Sequence, residues 1–472
     1  MSGHTPFRIA AALTLAALVV PRAASAKRFT LPELVQMARA GNPGIQAGGA
    51  AAMAMEAQVS EAKRNWFPSG DLLSFVAPVP RIGCVTAAPQ TQPVPPAMFD
   101  PSEYCVGTNA DPLHDPGILA NLRGAWTRTE LKLIQPVWDF GKISAGVAAA
   151  TAGVAALRAK QSGTAFDVEL NVSKAYWGLK LARELEDALA EGSGYVDDAA
   201  KKIDKQLEEG SGNVTVTDRL RLRTVRAEVD ARTLETKRLG NLALAGLQTL
   251  IGPNAPPDLD VDEAPLEPIE VPPRPLAHYF EQARLNRPEV QALDHAVRAK
   301  LALSDLERRR EYPDLVLIGT ASFAYAPTIE APRNAFANNP YNSLGAGVAA
   351  ALRMQLDLGP KLARAQRVRA EAEEMDLRRA DALGLIALDV RKAYGELTEA
   401  QERVAAVRKG EKAGKAWVTA VAQNFAIGIA EARDFSDALM AFFQMRARYL
   451  QSVYDLNVAV AALARATGAP LQ

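Results

Sequence analysis

Apolar residues recur along this chain at two periods, and the change between them divides it into segments. Val168, Val172, Ala175, Leu179 and Ala182 step alternately by four and three, an a/d seam on a helix that packs against neighbours. The seam returns at Ile386, Val390, Ala393, Leu397 and Ala400 and continues through Val404 and Val407. The first seam lies in Pro-free sequence rich in Ala, Leu, Glu, Arg and Lys, which predicts one helix over about 142–208. At 1.5 Å per residue it would be roughly 100 Å long, more than a globular core needs. Other long helices are expected over about 215–250, 363–421 and 431–466. Elsewhere the period is two. Arg128, Glu130 and Lys132 alternate with Thr127, Thr129, Leu131 and Leu133, and Leu344, Ala346, Val348, Ala350, Leu352 and Met354 alternate with smaller or polar neighbours. These patterns predict strands with dissimilar faces over about 125–138 and 343–358, with partners over about 70–77 and 314–325.

The pattern is duplicated. Ile45-Gln46-Ala47 aligns with Val290-Gln291-Ala292 and Phe67-Pro68 with Tyr312-Pro313, at one spacing. Asp139-Phe140-Gly141 aligns with Asp357-Leu358-Gly359 and Lys174-Ala175-Tyr176 with Lys392-Ala393-Tyr394, at a shorter one. The shortening places an insertion between Pro68 and Asp139. Residues 27–252 therefore read as one repeat and 276–472 as a second, each with a strand hairpin and long helices. Residues 253–275, which hold eight Pro with several acids, read as a linker that is poorly ordered or extended.

Composition narrows the function. Among 472 residues, 54 Lys and Arg balance 54 Asp and Glu, so no excess positive charge draws the chain to nucleic acid. Arg8, the apolar run over residues 9–20 and the small residues Ala24-Ser25-Ala26 read as a secretory signal peptide over 1–26. Twelve apolar residues fall short of the roughly 20 that span a bilayer as a helix, and no later stretch is apolar enough. A membrane crossing would have to use β-strands, and four strands would need oligomerisation to close a barrel. Cys84 and Cys105 lie in the insertion; in an oxidising compartment a bond between them is expected, stabilising the loop by roughly 3 kcal/mol. Enzyme signatures are missing. His114, His278 and His295 form no HExxH pattern, the two Cys lack zinc spacing, and no phosphate loop, dinucleotide turn or nucleophile elbow is present. Neither catalysis, a cofactor nor a metal is expected.

The signal peptide, the duplicated strands and long helices, the Gln135-Pro136-Val137-Trp138-Asp139-Phe140-Gly141 stretch and the Gly-x5-Asp turns (Gly212 with Asp218, Gly428 with Asp434) together resemble the TolC-like outer-membrane efflux proteins. The resemblance implies a mainly α fold with a small β part: a homotrimer whose protomers each give four strands to a shared β-barrel in outer-membrane lipid and long helices to an α-barrel tunnel in the periplasm. It implies an exit duct served by a periplasmic adaptor and an inner-membrane pump or ABC transporter, with no covalent chemistry of its own.

The turns after the long helices then acquire roles. Gly210, Gly212, Asn213, Val214 and Thr215, and in the second repeat Gly428, Ile429 and Ala430, are implied to be periplasmic tips where the adaptor docks. Asp434 and Asp437 share one helix face at i, i+3, and the resemblance implies that they ring the tunnel entrance, with Asp218 as a first-repeat partner in the gate. Acids in a first helical turn are also favoured by the helix dipole alone. Ala430 stands where a gate Arg occurs in some similar channels, with Arg433 nearby. The other reading is a non-conducting periplasmic coiled-coil scaffold or adaptor, which would need no lipid-compatible face on its strands.

Overall fold

The computed structural model describes residues 27–86, 103–107, 122, 124–210, 214–330, 339–427 and 429–469. The expected signal peptide lies outside them. In chain order the elements are β1 (Lys27–Phe29), α1 (Leu31–Gly41), α2 (Pro43–Arg64), β2 (Ser69–Val79), β3 (Ile82–Thr86), β4 (Glu103–Gly107), β5 (Gly124–Trp138), α3 (Lys142–Glu208), α4 (Val216–Ile251), β6 (Leu259–Val261), α5 (Leu276–Asn286), α6 (Pro288–Arg309), β7 (Asp314–Tyr325), β8 (Ser343–Arg353), α7 (Leu358–Ala426) and α8 (Ala432–Thr467). α3 runs for 67 residues and α7 for 69. No described helix is long and apolar enough to cross a membrane.

The described residues form two compact units, each drawing on both sequence repeats: those within 27–47, 162–287 and 386–469 make one, and those within 48–161 and 288–385 the other. In the first unit, the a/d seam is what the core is made from. Val168, Val172 and Leu179 of α3 meet Leu34 and Ala38 of α1, Leu247 and Ile251 of α4, and Phe29, Leu259 and Val261. Val390, the counterpart of Val172, is likewise fully buried. A second cluster near the turns between long helices joins Val196, Ile203, Leu222, Val418, Phe425, Phe435, Leu439 and Phe442, with Phe425 and Phe435 stacked at 5.3 Å.

The Pro-rich segment is more than a linker. Its Leu259–Val261 forms β6, which pairs in parallel with β1. Asp262 N donates to Phe29 O at 3.1 Å. Further on, the buried Asn457 of α8 accepts from Ile269 N and donates to Glu267 O, both at 2.9 Å. The Asp262 carboxylate is clamped from α3: Lys180 Nζ donates to Oδ1 and Tyr176 Oη to Oδ2, each at 2.5 Å, while Lys180 also reaches Ala264 O at 2.7 Å. Pro fixes φ and removes donors, so a Pro-rich stretch without regular structure is held by the side chains and short pairings that meet it.

The second unit contains an antiparallel sheet in the order β2-β5-β7-β8, with β2 and β8 as its edges. The strands enter it from helix ends whose capping is explicit. Asp139 precedes α3 and accepts from Gly141 N at 2.9 Å, in the turn that leads into the helix, and from Ile143 N at 2.5 Å, an amide of its first turn.

Candidate functional site

Register assigns every sheet residue to a face, because cross-strand partners point to the same side. One face carries Leu72, Ser74 and Val76 of β2, Thr127, Thr129, Leu131 and Leu133 of β5, Leu317, Gly319, Ala321, Phe323 and Tyr325 of β7, and Leu344, Ala346, Val348, Ala350 and Leu352 of β8. It holds no ionisable group except the Tyr325 phenol. The opposite face holds Asp71, Arg128, Glu130, Lys132, Asp314 and Arg353. The apolar face is uncovered: Leu344 is 85% exposed, Val348 80% and Leu352 72%. A continuous apolar surface across four strands is what lipid would cover and water would not.

Where the sheet meets the helices the surface becomes aromatic. A register shift between Pro136 and Trp138 sets Trp138 opposite Leu315, on the apolar side. The Trp138 and Phe140 rings are 6.1 Å apart, and Phe140 stacks on Tyr312 at 5.5 Å. Phe140 sits at φ +53°, a conformation that costs a residue with a Cβ roughly 1–2 kcal/mol. Arg309 Nη1 donates to the Phe140 carbonyl at 3.1 Å, and Lys142 Nζ bonds Tyr312 O and Asp314 Oδ1, each at 2.7 Å. Sequence reading marks this stretch as a strand entering a helix and misses the aromatic cluster, since Tyr312 and Phe140 meet only after folding.

The duplicated Asp-x-Gly motif takes different conformations in the two repeats. Gly141 lies at φ +82° in a turn, while Gly359 is already inside α7 with open space around its Cβ position. Gly141→Ala should therefore lower stability by about 1–2 kcal/mol, whereas Gly359→Ala should raise it by up to about 1 kcal/mol. Urea unfolding of the two variants checks the pair, and equal effects would contradict it.

At the turn between α3 and α4, Gly210 leaves the helix at φ +60° with no atom near its Cβ position. Gly212 and Asn213 lie outside the described residues. Thr215 caps α4, and Asp218 completes the capping box: its Oδ2 accepts from Thr215 N at 2.9 Å and from Thr215 Oγ1 at 2.7 Å. Val214 is half-buried and packs on the cluster around Phe435.

The turn between α7 and α8 is closed by Asn424 O, which accepts from Ile429 N at 2.8 Å and Ala430 N at 3.2 Å. Gly428 is outside the described residues. Ile427 and Ile429 stand 70% and 73% exposed. Asp434 is the acid in the first turn of α8, and Asp437 lies 3.8 Å from Arg433 at i, i+4; both carboxylates are in solvent. An exposed pair of this kind contributes little to stability, so folding leaves these acids available for another task. Cys84 and Cys105 are direct cross-strand partners in the β3–β4 ribbon. Among the described residues no group of His, Cys, Asp and Glu is arranged to hold a metal ion.

The architecture is that of a long-helix protein with a two-faced four-stranded sheet, and comparisons show what it resembles. Residues 279–469 match the family model described as "Outer membrane efflux protein". The fold matches the outer-membrane channel OprN with a TM-score of 0.68 at 17% identity, over 93% of this chain and 90% of that one. It matches the Campylobacter jejuni CmeC outer membrane channel with 0.69 at 15% identity, over 93% and 85% of the respective chains. For the open state of the Neisseria gonorrhoeae MtrE outer membrane channel the values are 0.67, 15%, 94% and 89%. No curated protein matches the chain. The described chain thus has the fold of these outer-membrane channels, and its residues 279–469 match the outer-membrane efflux family model.

Proposed function

We propose that the protein is the exit duct of a tripartite efflux or type I secretion system, a homotrimer whose three sheets close one β-barrel above a tunnel of long helices. The observation that carries this reading is the exposed apolar face spanning all four strands. In water such a face invites aggregation; in lipid it is covered, and the open edges at β2 and β8 must then pair with further strands. Pairing β8 of one copy with β2 of the next satisfies both edges under threefold symmetry. A periplasmic scaffold uses neither feature.

Gly210, Gly212, Asn213, Val214 and Thr215, with Gly428, Ile429 and Ala430, are the proposed contacts for a periplasmic adaptor that couples the duct to an inner-membrane pump or ABC transporter. The exposed Ile427 and Ile429 give that contact an apolar anchor. Asp434 and Asp437 are the proposed periplasmic entrance, six carboxylates in the trimer, with Asp218, the capping residue of α4, as the proposed first-repeat partner in the gate. Cys84 and Cys105 are proposed to be bonded, as their paired register allows.

The test is single-channel conductance of the detergent-extracted protein in a planar bilayer. Discrete steps reduced by a trivalent cation on one side are expected. Asp434→Asn with Asp437→Asn should weaken that block by roughly tenfold, since close carboxylates supply most of the attraction for a multivalent cation. Unchanged block would remove these residues from the entrance, and failure to insert would remove the barrel.

A further inference from the structure

The apolar face ends at a band of exposed aromatics, and both repeats place unengaged cations beside it. α2 closes with Lys63 and Arg64, followed by Trp66 and Phe67 and then β2; α6 closes with Arg308 and Arg309, followed by Tyr312 and then β7. Trp66, Phe67 and Tyr312 are 42%, 68% and 54% exposed. Within this band some cations are committed to the fold: Arg309 bonds Asp305 Oδ2 and the Phe140 carbonyl, and Arg310 bonds Glu307 Oε1 at 2.7 Å. Lys63, Arg64 and Arg308 are exposed and form no ion pair among the described residues. Cations are favoured at helix C-termini by the dipole, but the dipole gives no reason for large aromatics beside them in solvent.

The aromatics are fixed in place by backbone bonds. Gln135 Nε2 donates to Trp66 O at 2.8 Å, Lys142 Nζ to Tyr312 O, and Phe140 is held at positive φ against the Tyr312 ring. A preorganised aromatic band next to an apolar wall, with free cations on its helix side, matches the profile of a membrane interface: hydrocarbon, then glycerol, then phosphate.

We infer that this junction binds headgroups of anionic glycerophospholipid in the periplasmic leaflet, with Lys63 and Arg64 of one repeat and Arg308 of the other meeting phosphates and Trp66, Phe67 and Tyr312 seated at the glycerol level. The inference rests on the barrel reading, since it needs the apolar face in lipid. Charge complementarity selects an anionic lipid over a zwitterionic one, and the exposed aromatics select a lipid over a free phosphate.

The experiment is thermal unfolding of the full mature protein in neutral detergent, titrated with phosphatidylglycerol or with phosphatidylcholine. Phosphatidylglycerol should raise the midpoint at a concentration about tenfold or more below that needed for phosphatidylcholine. Arg308→Gln should cut this preference about fivefold, and Lys63→Gln with Arg64→Gln and Arg308→Gln should abolish it, as expected for cations at an anionic surface. Trp66→Ala with Phe67→Ala should weaken the response to both lipids. Equal responses to the two lipids in the unaltered protein would overturn the inference, as would a preference left unchanged by Arg308→Gln or a full response to glycerol 1-phosphate, which has no acyl chains. A protein that leaves the cell envelope without detergent would instead overturn the barrel reading, so the two failures are told apart.

Discussion

Val348→Arg is expected to destabilise the proposed membrane assembly by about 2–4 kcal/mol per subunit and to deplete the assembled form, because it sets a charge in mid-strand on the face proposed to meet lipid. Val348 lies at the middle of β8, is 80% exposed and pairs with Gly319, so no neighbouring side chain is displaced when it is enlarged. The cost is therefore desolvation of the guanidinium and not a packing clash. Thr320→Arg is the control. Thr320 pairs with Lys132 and Gly347, on the face that already carries Arg128 and Glu130, and its replacement should change stability by less than about 0.5 kcal/mol. Urea titration of the outer-membrane-extracted variants measures both. Equal costs at the two positions would mean that the sheet has no lipid side.

The second large effect is expected at the clamp on the inter-repeat segment. Lys180 is nearly buried, with 5% of its side chain exposed, and holds Asp262 in company with Tyr176. Lys180→Met should cost about 3–5 kcal/mol, since it leaves a partly buried carboxylate without its cation. The double replacement Lys180→Met with Asp262→Asn should recover most of the loss, because the price of a buried pair is mainly the desolvation of its members. Burial works against the Asp262 charge, but hydrogen bonds from Lys180, Tyr176 and Ala264 N outweigh it and hold the carboxyl below its ordinary range. Burial and the neighbouring carboxylate push the Tyr176 phenol upward. For a depressed carboxyl, the stabilisation is complete above the unfolded-state value and disappears as pH falls through the folded-state value. The clamp should thus be intact at pH 7 and be lost only below about pH 4. Thermal unfolding across pH 2–7 should show an acid-side decline that is smaller in Asp262→Asn; identical declines would remove Asp262 from the clamp.

Much of this architecture is legible in the chain because burial repeats at a fixed period. The Val168 to Ala182 seam marks a helix face, and those positions fill a core with α1 and α4. The alternation from Leu344 to Leu352 marks a strand because its two faces meet different surroundings. Pairing between distant short segments leaves no such trace. Lys27–Phe29 and Leu259–Val261 are three residues each and meet across the whole first repeat, so the Pro-rich stretch reads locally as a linker. Asp139-Phe140-Gly141 and Asp357-Leu358-Gly359 look equivalent, yet only the first needs a left-handed turn, because an aromatic stack and Arg309 wait for it there. Asp218 shows the same limit of local pattern: the residue that spacing pairs with Asp434 spends its carboxylate on the Thr215 cap.

The unpaired edges at β2 and β8 also have a genetic consequence. In the proposed trimer each subunit offers one edge to the next, so a subunit unable to accept a partner, for instance with Pro in mid-β8, spoils any ring it joins. Expressed in equal amount beside the normal chain, it would leave only about one-eighth of the trimers free of a defective member. Loss-of-function alleles in β8 should accordingly be dominant, whereas alleles that prevent the chain from folding at all should be recessive.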